Sequence, residues 1–475
     1  MYPKLELYVG GQWRSGAGRK TESVINPVNE KALAELPHAS KVDLDDALEA
    51  AKKGFETWRR TDAWNRARIM CKAADIMRER LEAIAAVITQ EQGKPLFEAR
   101  LEVAAAADVI QWMAEEGKRS YGRVIPSRLP GTRTFTTQES VGICTAFTPW
   151  NFPVLSPARK IAGALGGGCA LIIKPSEETP GAAVEMTRAF AEAGLPEGVL
   201  SVVFGVPGEI SEYLITKPEV RKVSFTGSIP VGKHLTKLAA EGVKRVTMEL
   251  GGHSPVIVFD DVDPEKTADF SVGGKYRNAG QVCISPTRFY VQENSYKKFA
   301  ARFAEQAKAV KLGNGLEAET RMGPLANARR LDAMANIVAD CQSRGAKIAA
   351  GGMRRGNHGY FFEPTVVTNL QDDSRLMTQE PFGPIAPIIP FKTLDEVVAR
   401  SNSLPYGLAA YAFTTSTKNA NVISDALEAG MVGINTFSIS MAETPFGGVK
   451  ESGYGHEGSV EGLEAYTSKK FISQA

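Results

Sequence analysis

From residue 141 onward, short apolar runs alternate with segments of helical spacing, and no other feature of the sequence constrains the fold as strongly. Four candidate helices, near residues 157–166, 180–193, 208–216 and 230–240, separate five runs: Val141–Phe147, Ala170–Ile173, Val199–Phe204, Lys222–Phe225 and Val246–Glu249. Strand–helix–strand alternation at this spacing predicts a parallel sheet with helices on both faces. Ligands of such a sheet bind at the carboxyl ends of its strands.

A second alternating series predicts a second α/β domain. Its apolar runs are Pro255–Phe259, Arg288–Val291, Ile385–Phe391, Leu408–Phe413 and Met431–Asn435. The first 120 residues have mainly helical spacing, and Ser40 with Asp43 matches a capping box at the start of one helix. The sequence therefore predicts an α/β protein with two sheets and an N-terminal helical region.

The composition excludes several classes of protein. A chain of 475 residues, 43% of them hydrophobic, is long enough for two or three domains with large cores. Lys and Arg number 56 against 54 Asp and Glu, so the net charge of +2 gives no reason to expect nucleic acid or an anionic membrane as partner. The uncharged stretch Ile161–Ile173 is shorter than the roughly 20 residues of a membrane span.

Cysteine and histidine usage argues against disulfides and metal sites. The five cysteines, at 71, 144, 169, 283 and 341, are an odd, scattered set without a CxxC pair. The five histidines show no metal-binding spacing, so no metal is expected. The first residues contain no apolar signal core. These features predict a reduced, cytoplasmic, multi-domain enzyme or binding protein.

A glycine-rich loop follows the fourth apolar run and leads into a candidate helix, an arrangement that offers backbone N–H groups to a phosphate. The stretch Phe225–His234 nearly matches the P-loop pattern GxxxxGK[ST], but His234 stands where a serine or threonine would bind magnesium. Val256–Asp260 resembles the apolar strand ending in aspartate that accompanies a P-loop. The loop alone therefore leaves a P-loop nucleotidase and a plain strand–helix turn open as alternatives.

Gly453–Gly458 matches the dinucleotide pattern GxGxxG literally, but its position argues against that function. Only 17 residues follow it, too few for the βαβ unit of about 30 residues that gives the pattern its meaning. We therefore expect a turn or a loop that lines a site.

Chemically useful side chains lie at predicted strand ends and in loops. Glu249 closes the fifth run, Asn151 follows the first, Lys174 closes the second, and Glu380 lies in a proline-rich turn. Cys283 lies in a polar, glycine-containing loop, whereas the other four cysteines have apolar or helical neighbours. A thiol, a carboxylate base and an amide donor around one crevice are what acyl chemistry on a thiol needs. A buried structural cysteine, a solvated carboxylate and a capping asparagine are the alternatives.

Seven motifs together resemble the NAD(P)-dependent aldehyde dehydrogenase family. In chain order they are TPWNFP, KPSEETP, FTGSIPVG, MELGGHSP, NAGQVC, EPFGP and PFGGVKESGYGHEG, spanning residues 148–458. The resemblance is greatest to the succinate-semialdehyde and 2-oxoglutarate-semialdehyde dehydrogenases. It implies an aldehyde-dehydrogenase-like α/β fold, with a Rossmann-type cofactor domain, an α/β catalytic domain and a small β oligomerisation element.

The resemblance also implies a division of the chain into domains. Residues 1–120 and 141–250 would bind the cofactor, and residues 251–445 would form the catalytic domain. Residues 121–140 and 446–475 would provide the oligomerisation element and a C-terminal segment that closes the active site, in a homodimer or homotetramer.

Residue by residue, the resemblance implies three catalytic roles: Cys283 is the nucleophile, Glu249 the base for deacylating water, and Asn151 the amide donor to the oxyanion. The implied cofactor residues are Thr148, Pro149, Trp150, Lys174, Ser176, Glu177, Gly208, Phe225, Thr226, Gly227, Ser228, Gly232, Leu250, Gly251, Glu380 and Phe382. The cofactor is expected to be NAD, because a carboxylate at Glu177 accepts ribose hydroxyls and repels a 2′-phosphate; NADP use stays open.

For the substrate, the resemblance points to Arg159, Arg277 and Ser440 as the groups that hold the distal carboxylate of succinate semialdehyde. Arginine suits bidentate capture of a carboxylate, although surface helix arginines are the alternative. The remaining implied substrate contacts are Phe152, Phe437 and Phe446. The loop around Phe437 departs from the succinate-semialdehyde pattern, which leaves 2-oxoglutarate semialdehyde and other small aliphatic aldehydes open. Ser285 replaces a second cysteine found in some relatives, so no redox-switch disulfide is expected.

The implied reaction is aldehyde oxidation through a thiohemiacetal and a thioester on Cys283, with a small aldehyde as the partner molecule. Two alternatives of other classes are the P-loop nucleotidase and a non-catalytic protein that has kept the fold. A protease is disfavoured because none of the five histidines lies in a motif comparable to that of Cys283.

Overall fold

The computed structural model describes residues 2–475. Its N-terminal part contains four short strands and then four helices: β1 (Leu7–Val9), β2 (Gln12–Arg14), β3 (Thr21–Ile25), β4 (Ala32–Pro37), α1 (Lys41–Trp58), α2 (Ala63–Glu79), α3 (Leu81–Gln92) and α4 (Leu96–Gly117). The predicted capping box starts α1, where the Ser40 and Asp43 side chains each bind the other's backbone N–H. The expectation of mainly helical structure is correct for 41–117 and wrong for residues 2–40. Strands of three to six residues are too short to show a reliable period of two.

The first predicted alternating series is confirmed. Its elements follow two further strands in the order β5 (Arg123–Ile125), β6 (Arg133–Ser140), β7 (Ile143–Phe147), α5 (Leu155–Gly166), β8 (Ala170–Lys174), α6 (Pro180–Glu192), β9 (Leu200–Val202), α7 (Pro207–Ile215), β10 (Val220–Gly227), α8 (Ile229–Glu241) and β11 (Arg245–Leu250). Every residue of β7 and β8 is buried, as expected for strands covered by helices on both faces.

The second series is confirmed as well. It comprises β12 (Ser254–Val258), α9 (Pro264–Tyr276), β13 (Pro286–Gln292), α10 (Glu293–Ala309), α11 (Ala328–Ser343), β14 (Lys347–Ala350), β15 (Thr365–Thr368), α12 (Arg375–Thr378), β16 (Ile385–Phe391), α13 (Leu394–Asn402), β17 (Tyr406–Gly407), β18 (Ala409–Phe413), α14 (Thr417–Ala426) and β19 (Met431–Ile434). The chain ends with β20 (Val449–Lys450), β21 (Gly453–Tyr454), α15 (Ser459–Glu464) and β22 (Thr467–Gln474).

Two large sheets organise these elements. The first has the order β2-β1-β9-β8-β7-β10-β11-β21 and is parallel from β9 to β11, with antiparallel strands at both edges. The second has the order β14-β15-β16-β13-β12-β18-β19 and is parallel from β15 to β19. In the first sheet the chain runs from β7 outward through β8 to β9 and then returns to β10 on the other side of β7. The strand order therefore reverses between β7 and β10, where a crevice opens at the carboxyl ends of the strands.

A small antiparallel sheet joins two distant parts of the chain. β22 pairs with β6 along its whole length, from Thr467 opposite Ser140 to Gln474 opposite Arg133, and β5 pairs with the other edge of β6. The exposed faces of this sheet include Val124 and Phe471. Within residues 2–475 no helix is both long and apolar enough to cross a membrane.

Candidate active site

A cavity of about 550 Å³ opens where the strand order of the first sheet reverses. The loops that follow β7, β10 and β11 line one side of it, and the loop between α9 and β13 lines another. This is the place where a parallel α/β sheet is expected to bind a ligand. Asn151, Glu249 and Cys283 all lie in the lining, so the fold brings together the three residues predicted to carry the chemistry.

The loop that carries Cys283 begins with a tight turn over Arg277–Gly280. Asn278 and Ala279 there have φ of 49° and 52°, a left-handed conformation that costs energy for residues other than glycine. Hydrogen bonds hold the turn in place, because the Asn278 N–H donates to Glu98 Oε2 at 2.8 Å and its side-chain amide donates to Gln281 O at 3.3 Å. The strained turn thus directs the chain back toward the cavity, where Cys283 is partly accessible.

The Cys283 thiol is neutral in the free protein at neutral pH. Burial raises the pKa of the thiol to about 12, and the nearby carboxylates of Glu380 and Glu249 act in the same direction. A thiolate is the reactive form of cysteine, so this thiol needs a base or an added positive charge beside it to react at neutral pH.

Glu249 lies near the end of β11 with its carboxylate deep in the cavity lining. Neither carboxylate oxygen has a hydrogen-bond partner among residues 2–475, although the side chain is buried. Burial raises the pKa of this carboxyl well above its usual value, and the neighbouring carboxylate of Glu457 adds to the rise. A buried carboxyl with unused oxygens and a raised pKa suits a general base that takes a proton from a water in the site.

Asn151 follows β7 and presents its amide beside the cysteine loop. The Nδ2 group donates to Gln281 O at 3.1 Å, which uses one of the two amide hydrogens. The second hydrogen is available to a ligand. An amide N–H at this position can therefore stabilise negative charge on an oxygen attached to a carbon that Cys283 attacks.

The opposite part of the cavity has the features of a dinucleotide-binding site. Gly227 and Ser228 line it at the start of α8, and the Ser228 side chain makes no capping hydrogen bond, so first-turn N–H groups of a 13-residue helix are free for an anion. A Cβ added at Gly232 would overlap the Leu250 side chain, which shows that α8 lies directly against β11. A Cβ added at Gly251 would overlap the Glu380 carboxylate. A side chain at either position would force Leu250 or Glu380 to move, and the residues present fit NAD(P).

Glu380 and Phe382 complete this side. The Glu380 carboxylate accepts from the Gly252 N–H at 3.2 Å, and burial raises its pKa to about 7. Phe382 has φ of 45° and meets the Trp150 ring edge-on at 5.5 Å. Arg330 donates to the carbonyls of Pro381 and Phe382 and so stabilises this strained turn.

The predicted cofactor residues divide into two groups. Nine line the cavity: Pro149, Trp150, Thr226, Gly227, Ser228, Leu250, Gly251, Glu380 and Phe382. Seven are not in its lining: Thr148, Lys174, Ser176, Glu177, Gly208, Phe225 and Gly232. Lys174 and Glu177 nevertheless form an ion pair directly after β8, one strand away from the crevice. Their roles toward a cofactor stay predictions.

Most of the predicted substrate residues converge on one end of the cavity. Phe152, Arg159, Arg277, Ser440 and Phe446 line it. Phe437 does not: its ring packs against Phe270, Tyr411 and Phe413, with centroids 4.9–5.2 Å apart. Phe437 follows β19 and is partly buried, so its ring lies at the margin of the core of the second sheet.

Arg159 contacts two other members of this group, Phe446 and Ser440. It extends from α5, and its guanidinium carbon lies 4.7 Å from the centroid of the Phe446 ring. Nη2 donates to Ser440 Oγ at 3.0 Å, while Nη1 is buried with no hydrogen-bond partner in the described part of the chain. A buried guanidinium nitrogen without an acceptor is costly, and an anion in the cavity would satisfy it.

The structure also places in the site several charged residues that the sequence analysis did not single out. Lys94, Glu98 and Glu102 lie at the start of α4 and line the cavity although they are buried. Lys160 donates to Glu457, to Thr226 Oγ1 and to Ser224 Oγ. Two signals were present in the sequence. Glu98 and Glu102 are spaced i, i+4 on an otherwise alanine-rich helix, and Glu457 lies inside the GxGxxG stretch, which forms a loop that lines the site.

The P-loop interpretation does not fit the geometry. Lys233 pairs with Glu451 at 2.7 Å, and the exposed His234 ring lies 3.3 Å from Glu212. Neither side chain lines the cavity, so the residues that would bind phosphate and magnesium lie away from the site.

Comparisons with known proteins agree with this geometry. The model of the aldehyde dehydrogenase family matches residues 13–472. The chain is 45% identical over 472 residues to 4-(hydroxymethyl)benzenesulfonate dehydrogenase TsaD1 of Comamonas testosteroni, covering 99% of this chain and 98% of that protein. It is 40% identical over 469 residues to 3-sulfolactaldehyde dehydrogenase of Pseudomonas putida, covering 99% and 96%.

Similarity to solved structures is equally extensive. The crystal structure of succinate-semialdehyde dehydrogenase from Burkholderia pseudomallei matches with a TM-score of 0.97 at 40% identity, covering 99% of this chain and 98% of that one. The predicted fold is thereby confirmed. Succinate-semialdehyde and glutarate-semialdehyde dehydrogenases are among the relatives at about 40% identity. The family uses NAD(P), and solved structures similar to this chain include complexes with NAD+.

Proposed function

We propose, because the chain belongs to the aldehyde dehydrogenase family, that it oxidises an aldehyde bearing a distal anionic group, and that this aldehyde is a carboxylated semialdehyde such as succinate semialdehyde. The product is the corresponding acid. The cofactor is NAD(P), and we infer a preference for NAD because the Glu177 carboxylate disfavours a 2′-phosphate.

The observation that carries the substrate proposal is the Arg159 guanidinium. Arg159 lines the cavity; its Nη1 is buried with no acceptor anywhere in residues 2–475, and its Nη2 donates to Ser440 Oγ. Arg277 lines the same end of the cavity, with its guanidinium carbon 5.8 Å from the Phe152 ring centroid. Two arginines beside apolar rings suit a short carbon chain that ends in an anion.

A sulfonated aldehyde is the second candidate. Relatives at 45% and 40% identity are named for 4-(hydroxymethyl)benzenesulfonate and 3-sulfolactaldehyde, and a sulfonate presents the same kind of acceptor oxygens to Arg159 as a carboxylate does. 2-Oxoglutarate semialdehyde is a further carboxylated candidate, and a neutral small aliphatic aldehyde would not use the buried guanidinium.

In the proposed mechanism, bound NAD(P) supplies the hydride acceptor. The proton of Cys283 Sγ passes to a water in the site, and Sγ forms a bond to the aldehyde carbon as the C=O π bond breaks, which gives a thiohemiacetal oxyanion. Asn151 Nδ2 and the Cys283 backbone N–H donate to that oxyanion. Loss of hydride from the same carbon leaves a thioester. Glu249 then takes a proton from water, the resulting hydroxide attacks the thioester, and the C–S bond breaks to release the acid and restore the cysteine.

The experiment that tests the substrate proposal compares Arg159→Ala with wild type on a panel of aldehydes. We expect kcat/KM to fall about 100-fold for succinate semialdehyde and for a sulfonated aldehyde, because a hydrogen bond to a charged group contributes about 1.5–3 kcal/mol. For butanal and benzaldehyde we expect a fall of less than about fivefold by the same reasoning.

Two further variants control this comparison. Arg159→Lys keeps the charge and should retain part of the selectivity, whereas Arg100→Ala removes an exposed arginine that pairs with Glu82 and should leave every kcat/KM unchanged. Equal losses on anionic and neutral aldehydes would contradict an anion-binding role for Arg159.

We also propose the domain division and assembly that the resemblance implies. Residues 1–120 with 141–250 bind the cofactor, residues 251–445 form the catalytic domain, and residues 121–140 with 446–475 mediate a homodimer or homotetramer. The exposed apolar side chains of Val124 and Phe471 on the small sheet support an interface there. A cytoplasmic location is supported by five cysteines that are all unpaired.

A further inference from the structure

A buried lysine lies behind the loop that carries Asn151. Lys94 is 2% exposed and follows α3, immediately before the proline that starts α4. Its Nζ donates to Asn151 O at 2.8 Å and to Glu102 Oε2 at 2.6 Å, and it lies 4.1 Å from the Phe152 ring centroid. The ammonium group therefore directs two donors and its positive charge at fixed partners around one loop.

The Asn151 carbonyl oxygen accepts hydrogen bonds from two side chains. Besides Lys94, the Asn278 side-chain amide donates to the same oxygen, at 3.0 Å. The Asn151 side-chain amide in turn donates to Gln281 O, in the loop that leads to Cys283. The main chain of Asn151 is thus fixed on one side by the lysine and tied on the other to the cysteine loop.

Glu102, the ion-pair partner of Lys94, also binds the start of α5. Its Oε1 accepts from the N–H groups of Val154 and Leu155, at 2.9 and 3.2 Å, where α5 begins without a side-chain cap of its own. The Lys94–Glu102 pair, each side chain 1% exposed, therefore holds the loop at Asn151 and again at the start of α5. A carboxylate at a helix N-terminus also complements the helix dipole.

We propose that Lys94 is a positioning residue for aldehyde oxidation: its bond to the Asn151 carbonyl, braced by Glu102, sets the distance and direction of the Asn151 amide toward the oxyanion. The inference rests on the proposed function, in which Asn151 donates to that oxyanion. The hydrogen bonds of Lys94 Nζ go to Asn151 O and Glu102, so in this proposal it acts on the reaction through the position of Asn151. A misplacement of about 1 Å at a reacting centre costs about 100-fold in rate.

The test is a double-mutant cycle between Lys94→Met and Asn151→Ala, read as the rate of NADH formation in the first turnover with butanal. A neutral aldehyde keeps the measurement independent of the anion site. Lys94→Met should slow this step about 100-fold, with KM for butanal and Kd for NAD+ within about threefold of wild type. In the Asn151→Ala background the same change should cost less than about threefold, since residues that act as one unit are not additive.

A second variant guards against loss of folding. Removing Lys94 alone leaves a buried, unpaired Glu102, which can destabilise a protein strongly. Lys94→Met with Glu102→Gln keeps an oxygen for the Val154 and Leu155 N–H groups without a charge, and it should reproduce the rate loss in a folded protein. Lys222→Met is the matched control, because Lys222 is an equally buried lysine that donates to Thr247 Oγ1 and contacts neither loop. It should leave the first-turnover rate unchanged.

The outcomes separate the two proposals. If Lys94→Met costs the same factor with and without Asn151, Lys94 has only a structural role and the inference is overturned while aldehyde oxidation stands. If Asn151→Ala oxidises butanal at the wild-type rate, the oxyanion role fails and the inference fails with it. If wild type oxidises no aldehyde, the proposed function itself is overturned.

Discussion

At the scale of the residue, the site combines groups whose ordinary acid–base properties are shifted by burial. Burial raises the pKa of the Cys283 thiol and of the Glu249 carboxyl, so both hold their protons more tightly than in water. Each must therefore lose its proton before it can act as nucleophile or base.

The raised thiol pKa predicts the pH dependence of Cys283 alkylation in the free enzyme. With a pKa of about 12, the thiolate fraction grows about tenfold per pH unit throughout the range in which the protein is handled. The iodoacetamide rate at Cys283, followed by peptide mass spectrometry, should rise with that slope from pH 7 to about pH 10 without levelling off. A plateau below pH 9 would show that the thiol is already ionised there and would contradict the effect of burial.

At the scale of the element, α8 and α4 prepare the two halves of the site. α8 begins at the carboxyl end of β10 with free N–H groups and lies against β11 because Gly232 has no side chain. α4 presents Glu98 and Glu102 inward, and these two side chains, with Lys94 just before the helix, hold the loops that carry Asn151 and Cys283. In the proposed function, one helix offers N–H groups to an anionic part of the cofactor, and the other holds the loops of the reacting groups.

The close approach of α8 to β11 predicts the effect of Gly232→Ala. The added methyl group would overlap Leu250 and push the first turn of α8 away from the strand, a strain of about 1–3 kcal/mol. We expect Kd for NAD+ to rise about tenfold or more, measured by calorimetry, together with a lower Tm. Gly273→Ala is the control, because a Cβ there meets no atom within 4 Å. Unchanged NAD+ affinity in Gly232→Ala would show that α8 does not position the cofactor.

At the scale of the whole molecule, the last strand of the chain pairs with a strand far earlier in the sequence. β22, the last strand, pairs along β6, and the resulting small sheet exposes Val124 and Phe471. Val124 lies opposite Phe135 and Phe471 opposite Thr136, so the two side chains project from opposite faces of the sheet. Exposed large apolar side chains are unfavourable in water, and contact with a second copy of the chain would cover them. The closed symmetry of most homo-oligomers agrees with a dimer built on such a sheet.

This assembly predicts a change of mass on mutation of the small sheet. Wild type should behave as a dimer or tetramer in size-exclusion chromatography with light scattering. Val124→Asp combined with Phe471→Asp should shift it toward the monomer, because two charges placed at an apolar interface are costly to bury. Met353→Asp, which places the same charge on an exposed apolar residue outside the small sheet, should leave the mass unchanged. A monomeric wild type, or a double variant with the wild-type mass, would contradict the proposed interface.

Sequence reasoning succeeded where a local pattern carries the information. The alternation of β7–β11 with α5–α8 predicted the parallel sheet, and the rule for strand ends placed Asn151, Glu249 and Cys283 in one crevice. It failed where packing between distant parts of the chain determines the position of a residue. β1 to β4 are too short for a clear period, and Lys94 resembles any exposed lysine before a proline until α4 packs over the Asn151 loop. Phe437, predicted beside the substrate, lies outside the cavity lining against Tyr411, and its role toward a substrate stays a prediction.

The account depends on transient acylation of Cys283, followed by hydrolysis through Glu249. The most direct measurement is mass spectrometry of Glu249→Gln, quenched in acid after a single turnover with NAD+ and succinate semialdehyde. The account predicts one equivalent of NADH and a succinyl group on the peptide that contains Cys283, with no adduct on Cys283→Ser. Steady-state oxidation by Glu249→Gln at the wild-type rate, or NADH formation with no acyl group on Cys283, would contradict it.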